Sequence, residues 1–178
     1  MTVKQFFKSK TFICIVVLLC IALVSGGLLA ICNDLLNVSD EERVQRTIES
    51  IYGKSVAYTV VESDYETDQG SIDAVYRLAD GNYLVKATGK EGYKHGTITV
   101  WCVASYENGA FAGIKNVSVA SYEKQTLMSK FTNDVLAKFG GKDENAVSVS
   151  GATYSAKACN NAVNTVLSYV ATLEGGNQ

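Results

Sequence analysis

The chain has 178 residues, of which 47% are hydrophobic and 19% are charged, a composition that suits a packed domain and excludes a disordered chain. Three of the 16 basic residues precede residue 33, which leaves 13 basic against 18 acidic residues in the remainder and a formal charge of −5. An acidic domain without a basic cluster excludes nucleic-acid binding as its function.

Residues 11–32 form the first predicted element, an uncharged and mostly apolar segment. Its 22 residues exceed the roughly 20 that a single transmembrane helix needs to cross a bilayer. Three lysines lie in residues 1–10 and Asp34 follows the segment, which predicts a cytoplasmic N-terminus and an extracytoplasmic C-terminal domain at the cell membrane. A cleaved signal peptide is the alternative, although its apolar region is usually only about 7–15 residues long.

Residues 33–69 are predicted to connect this segment to the main domain through a helix and a strand. Ser39 followed by three acids is typical of a helix start, and the predicted helix runs to Tyr52. Residues 55–61 alternate and are rich in β-branched side chains, which predicts a strand. The acidic stretch 62–70 is predicted to be a solvated loop.

Two β-hairpins are predicted next. Asp80-Gly81 and Asn108-Gly109 stand at the predicted turns, and such pairs favour the positive φ angles of tight hairpin turns. The predicted strands are residues 71–78 and 82–87 in the first hairpin and residues 96–105 and 110–120 in the second. The alternation of apolar residues predicts an antiparallel sheet with one face packed against helices.

The last third of the chain is predicted to contain two helices around a short strand. Residues 124–139 place apolar side chains at helical spacing, which predicts an amphipathic helix that ends at Gly140. Residues 146–149 are predicted to be a short strand, and a final helix follows and continues to about Leu173. The whole order predicts an α+β fold.

Cysteine and histidine usage gives little sign of catalytic chemistry. Cys102 and Cys159 fall on apolar faces of their predicted elements, so both are predicted to be buried free thiols, with a disulfide between them as the alternative. His95 is the only histidine and is predicted to lie in an exposed loop. No spacing of cysteine and histidine indicates a metal site, and no nucleotide-binding motif is present.

Residues 150–155 read Ser-Gly-Ala-Thr-Tyr-Ser and lie where the predicted strand gives way to the final helix. The N–H groups and the dipole at a helix start favour an anion. The simplest interpretation is an ordinary helix start with Ser150 or Thr153 as the N-cap residue.

The run Ser150-Gly151-Ala152-Thr153 resembles the flavinylation motif of the covalent FMN-binding domain. This domain is shared by the G subunit of Rnf-type ferredoxin:NAD oxidoreductases and the C subunit of sodium-pumping NADH:quinone oxidoreductases. The resemblance implies an FMN-binding domain over residues 70–178, in which Thr153 carries FMN through a phosphoester bond made by a separate flavin transferase. The chain is most similar to the Rnf G subunit, which it matches in length.

The resemblance also implies further flavin-binding residues, namely Ser155, Tyr93, Glu123, Thr126 and Leu127. Tyr93 belongs to a Gly-Tyr pair like that of the family. Glu123 and Leu127 keep the spacing of the family's Glu-Thr-Pro-Gly-Leu-Gly loop, but the proline and both glycines are replaced here. The conformation of this loop is therefore left open.

By resemblance, the function is that of an electron-carrying subunit in a membrane-bound, ion-translocating ferredoxin:NAD oxidoreductase. Other integral membrane subunits would be its partners, and the isoalloxazine would supply the redox chemistry without catalytic residues from this chain. One alternative is a stand-alone, membrane-anchored flavoprotein of another extracytoplasmic electron-transfer chain. The other alternative is an anchored binding domain without a cofactor.

Overall fold

A computed structural model describes the backbone of residues 10–36 and 39–175 and the side chains of residues 14–29 and 39–173. It divides into two compact units, Met1–Thr47 and Ile48–Gln178. Within those described ranges, the second unit holds a five-stranded sheet and the final helix.

Helix α1 (Lys10–Leu36) occupies the first unit, and helix α2 (Asp40–Tyr52) begins there. The Ser39 hydroxyl accepts a hydrogen bond from the Glu42 N–H at 3.2 Å, as expected of an N-cap residue. Gly53 follows α2 with a φ of +67°, a left-handed conformation that commonly ends a helix. The helix predicted from Ser39 to Tyr52 is confirmed.

The prediction of a transmembrane helix over residues 11–32 is wrong for the residues that the structure describes. No helix among them is both long enough and apolar enough to cross a membrane. The fold-class prediction is corrected in this element, and the predicted single-pass location in the cell membrane is not supported. Residues 1–9 of the predicted cytoplasmic N-terminus lie outside the described residues.

The sheet is antiparallel, and each strand pairs with its neighbour in sequence, in the order β1-β2-β3-β4-β5. Both predicted hairpins are confirmed, and Asn108 and Gly109 have the expected positive φ angles of 54° and 81°. The α+β fold with an antiparallel sheet is likewise confirmed. The strands are β1 (Tyr58–Val61), β2 (Gly70–Leu78), β3 (Tyr83–Gly89), β4 (Ile98–Glu107) and β5 (Ala110–Tyr122).

Helix α4 (Thr153–Gly175) packs against the sheet and forms the core with it. Gly89 at the end of β3 permits the closest approach, because a Cβ there would overlap the backbone of α4 at Ala158 and Ala162. Cys102 and Cys159 are buried free thiols, as predicted, and burial raises the pKa of each to about 12. The core therefore fixes the start of α4 relative to the sheet.

The amphipathic helix predicted over residues 124–139 is wrong. The chain forms one helical turn, α3 (Asn133–Leu136), between the 3-10 turns Met128–Lys130 and Ala137–Phe139. Lys124 and Leu127 have φ angles of 55° and 60°, a left-handed conformation that an α-helix does not accommodate. The apolar spacing reflects burial along an irregular segment.

The strand predicted over residues 146–149 is also wrong. The backbone in and just before this segment is hydrogen-bonded to asparagine side chains of α4 and not to a neighbouring strand. The Asn160 amide donates to the Val147 carbonyl at 2.9 Å and accepts from the Val147 N–H at 3.0 Å. Asn164 makes the same pair of bonds with the Asn145 backbone, at 3.0 and 2.7 Å. These side chains satisfy buried and half-buried backbone groups that a strand would have paired in a ladder.

Candidate functional site

The motif turn, residues 150–155, carries the chain into α4. The Ala152 N–H donates to the Val149 carbonyl at 2.9 Å, and Gly151 in between has a φ of +76°. Such a turn requires a positive φ at its third position, which favours glycine. The Ala156 N–H then donates to the Ala152 carbonyl at 2.9 Å, the first helical bond.

Ala152 thus holds the N-cap position, and the simple interpretation with Ser150 or Thr153 as N-cap is wrong. The Ala152 side chain cannot accept a hydrogen bond from the first turn of the helix, as a serine or threonine at that position would. The N–H groups of this turn therefore depend on other acceptors, and an anion is a suitable one.

The hydroxyl groups of the motif turn differ in their access to solvent. Thr153 is exposed at the first position of α4. Ser155 is only 2% exposed, and its hydroxyl donates to the Gln125 side-chain oxygen at 2.9 Å. A reagent from solvent therefore reaches the Thr153 hydroxyl but not the Ser155 hydroxyl.

Gln125 joins the motif turn to two other segments of the chain. Its side chain is buried, and its Oε1 accepts from the Tyr93 N–H at 3.1 Å as well as from Ser155. Its Nε2 donates to the Glu123 carbonyl at 3.0 Å. Gly92 leaves room for this amide, which a Cβ at that position would overlap. Residues far apart in sequence are brought together by one side chain.

The surface beside Thr153 is apolar and aromatic. The rings of Tyr93 and Tyr154 lie 6.4 Å apart between centroids, and Tyr154 is 63% exposed. The Thr126 carbonyl lies 3.4 Å from the Ser155 hydroxyl, next to Leu127, which is 50% exposed. A left-handed leucine costs about 1–2 kcal/mol, and such strain is concentrated at binding sites.

Positive charge surrounds this surface although the chain as a whole is acidic. The Lys130 ammonium donates to the Ser150 carbonyl at 2.6 Å. Two further lysines pair with acids, at 3.0 Å for Lys157–Glu91 and 3.2 Å for Lys124–Glu123. The hydrogen bond and charge of Lys157 lower the pKa of Glu91. Lys94 lies 5.4 Å from the centroid of the Tyr93 ring, so two of these four lysines, Lys94 and Lys130, form none of the described ion pairs.

The structure brings together the segments that contain all the residues named from the sequence. They are Tyr93 on one loop, Glu123, Thr126 and Leu127 on a second loop, and Ser150, Gly151, Ala152, Thr153 and Ser155 on the motif turn. Sequence reasoning missed the roles of Gln125 and Lys130. In the sequence, Gln125 was notable only as a departure from the family's loop. No feature of the sequence indicates that Lys130 is hydrogen-bonded to the motif turn.

Two other features of the described residues are the histidine and a separate cleft. His95 is exposed in the loop after Tyr93, as predicted, and the described residues contain no cluster of metal-binding side chains. A cleft of about 530 Å³ opens farther along α4, beside Asn164 and Ser168, and includes no residue of the motif turn.

Comparison of the chain with family models, with curated proteins and with solved structures finds no match. The resemblance to the covalent FMN-binding domain therefore rests on the residues quoted above.

Proposed function

We propose that this protein is an electron-carrying flavoprotein, with FMN esterified through its phosphate to the hydroxyl of Thr153. The observation that carries the proposal is the exposure of Thr153 at the first position of α4, next to an exposed aromatic surface. Ser155, two residues later, is buried and hydrogen-bonded. A flavin transferase would thus find one of these two hydroxyls accessible.

The residues around Thr153 fit both ends of FMN. An uncapped helix start and the Lys130 ammonium favour the phosphate end. The exposed side chains of Tyr154 and Leu127, with Tyr93 beside them, offer a flat ring apolar contact. Gly151 has no side chain, which leaves room for the Lys130 ammonium beside the turn, since a Cβ at this residue would lie 2.6 Å from the Lys130 Nζ.

The attachment reaction requires an activated FMN donor, such as one joined through a pyrophosphate. A bond forms between the Thr153 oxygen and phosphorus, the pyrophosphate P–O bond breaks, and the hydroxyl loses its proton as the second phosphate leaves. No electrons change hands in this step. Once attached, the flavin supplies the redox chemistry, and the chain holds and orients it.

The finer proposal is that the protein serves a ferredoxin:NAD oxidoreductase of the Rnf type, with the other subunits of that complex as partners. This part rests on the resemblance of the motif turn alone. Affinity purification from native cells tests it, because co-purification of Rnf-type subunits supports the assignment. Recovery of a flavinylated chain without them would favour a stand-alone flavoprotein.

Co-expression of the full chain with a flavin transferase tests the attachment. We expect an intact-mass gain equal to FMN minus one water, mapped to the peptide that contains Thr153, and flavin fluorescence that persists after denaturation. Thr153→Ala should abolish the gain, whereas Thr132→Ala should retain it, because Thr132 is an exposed threonine without a side-chain capping bond.

An unmodified chain, from cells in which the transferase modifies a known substrate, would refute the proposal. That result would favour a binding domain without a cofactor. A covalent flavin that persists in Thr153→Ala would instead show that another residue carries it.

A further inference from the structure

Lys130 places a positive charge directly at the motif turn. It ends the 3-10 turn Met128–Lys130, and its ammonium donates to the Ser150 carbonyl at 2.6 Å. A Cβ on Gly151 would lie 2.6 Å from the same nitrogen. The absence of a side chain at residue 151 therefore leaves room for the ammonium in this position, and the positive φ of the turn favours glycine there.

The charge of Lys130 is not neutralised within the described part of the chain. No acidic side chain there forms an ion pair with it, and its described hydrogen bond goes to a neutral carbonyl. A lysine ammonium has three N–H donors, so two remain for other acceptors. Phosphate oxygens are strong acceptors for such a group.

The other lysines near the turn are differently engaged. Lys157 pairs with Glu91 and Lys124 pairs with Glu123, while Lys94 lies over the Tyr93 ring. Lys130 alone among these four is hydrogen-bonded to the motif turn. It is therefore the side chain best suited to hold an anion beside Thr153.

We infer that Lys130 is the phosphate-positioning residue of this site and makes it selective for phosphorylated flavin. The inference rests on the proposed function. The ammonium keeps its bond to the Ser150 carbonyl and uses its remaining donors to hold the flavin phosphate next to the Thr153 hydroxyl. Riboflavin has the same ring but lacks the phosphate, so it gains nothing from Lys130.

Binding of free FMN and free riboflavin to the unmodified full chain, made without the transferase, tests this inference. We expect FMN to bind more tightly, and Lys130→Met to weaken FMN binding about tenfold or more while riboflavin binding stays unchanged, the effect of one lost charge-assisted hydrogen bond. Lys130→Arg should restore the preference for FMN. Added salt should reduce the preference in the parent chain but not in Lys130→Met.

Lys138→Met is the matched control, since Lys138 is an exposed lysine on the 3-10 turn Ala137–Phe139 and is not hydrogen-bonded to the motif turn. A merely structural role for Lys130 would weaken both ligands alike, and that result would overturn the inference. So would an FMN-to-riboflavin ratio that is unchanged in Lys130→Met, a parent chain without preference, or a parent chain that binds neither ligand. The intact mass of the chain co-expressed with the transferase tests the proposed function separately.

Discussion

Replacing Gln125 by methionine should loosen the candidate site and destabilise the fold. The change keeps the approximate length of the side chain but removes its acceptor for the Tyr93 N–H and the Ser155 hydroxyl and its donor to the Glu123 carbonyl. Ser155 is only 2% exposed, so water cannot readily replace the lost acceptor. A buried polar group without a partner costs about 1–3 kcal/mol.

With two donors affected, we expect Gln125→Met to lower the free energy of unfolding by about 2–4 kcal/mol. Urea unfolding measures this as a lower midpoint at an unchanged slope. Gln69→Met is the control, because Gln69 is exposed in the loop before β2 and should shift stability by at most about 0.5 kcal/mol.

The local effect of Gln125→Met should appear in hydrogen exchange. The amide of Tyr93 loses its acceptor, so it should exchange faster than in the parent under conditions where the core amides of β3 remain protected. A Gln125→Met variant as stable as the Gln69→Met control, with an equally protected Tyr93 amide, would refute the claim that Gln125 holds the three segments together.

Three further predictions concern the core. Gly89→Ala should lower the thermal midpoint by several degrees, since the new Cβ overlaps the backbone of α4 and overpacking costs about 1–3 kcal/mol; an unchanged midpoint would contradict the close approach. Burial raises the pKa of Cys102 and Cys159 to about 12, so both should resist a thiol reagent at pH 8 until the chain is unfolded. Because the folded thiols keep protons that the unfolded thiols lose, stability should fall as the pH rises above about 8.5. Rapid labelling of both thiols in the native protein would show that they are accessible.

The elements that the sequence predicted correctly depend on local chemistry. The turn at Asn108 and Gly109 favours a hairpin whatever surrounds it, and Ser39 caps α2 with its own hydroxyl. The start of the final helix near Thr153 was likewise predictable, because a turn of small residues precedes a long segment whose apolar residues recur at helical spacing.

The elements that failed depend on tertiary contacts. Phe131 and Leu136 are buried, as expected of the apolar side of the predicted helix, yet left-handed residues at Lys124 and Leu127 turn the chain away from a helix. Their side chains carry no signal for that conformation, which glycine or asparagine would have given. The transmembrane prediction rested on the uncharged, apolar length of residues 11–32 and on the lysines that precede it, but no helix among the described residues is long and apolar enough to cross a membrane.

The segments of the candidate site could be named from the sequence, but the contacts that connect them could not. The motif turn and Tyr93 were quoted from the sequence, but Gln125 joins them through bonds that span about thirty residues on either side. Lys130 reaches the motif turn only because the 3-10 turn Met128–Lys130 brings it there. Such bonds between distant residues are set by the packed fold.

The asparagines of α4 have a consequence for the proposed modification of Thr153. Asn160 and Asn164 bind the backbone at Val147 and Asn145, so the same helix that begins at the motif turn also holds the segment that leads into it. The turn is therefore a short loop, and α4 holds the chain on both sides of it. A modifying enzyme would therefore meet a folded surface rather than a flexible tail, and would not spend binding energy on ordering its substrate.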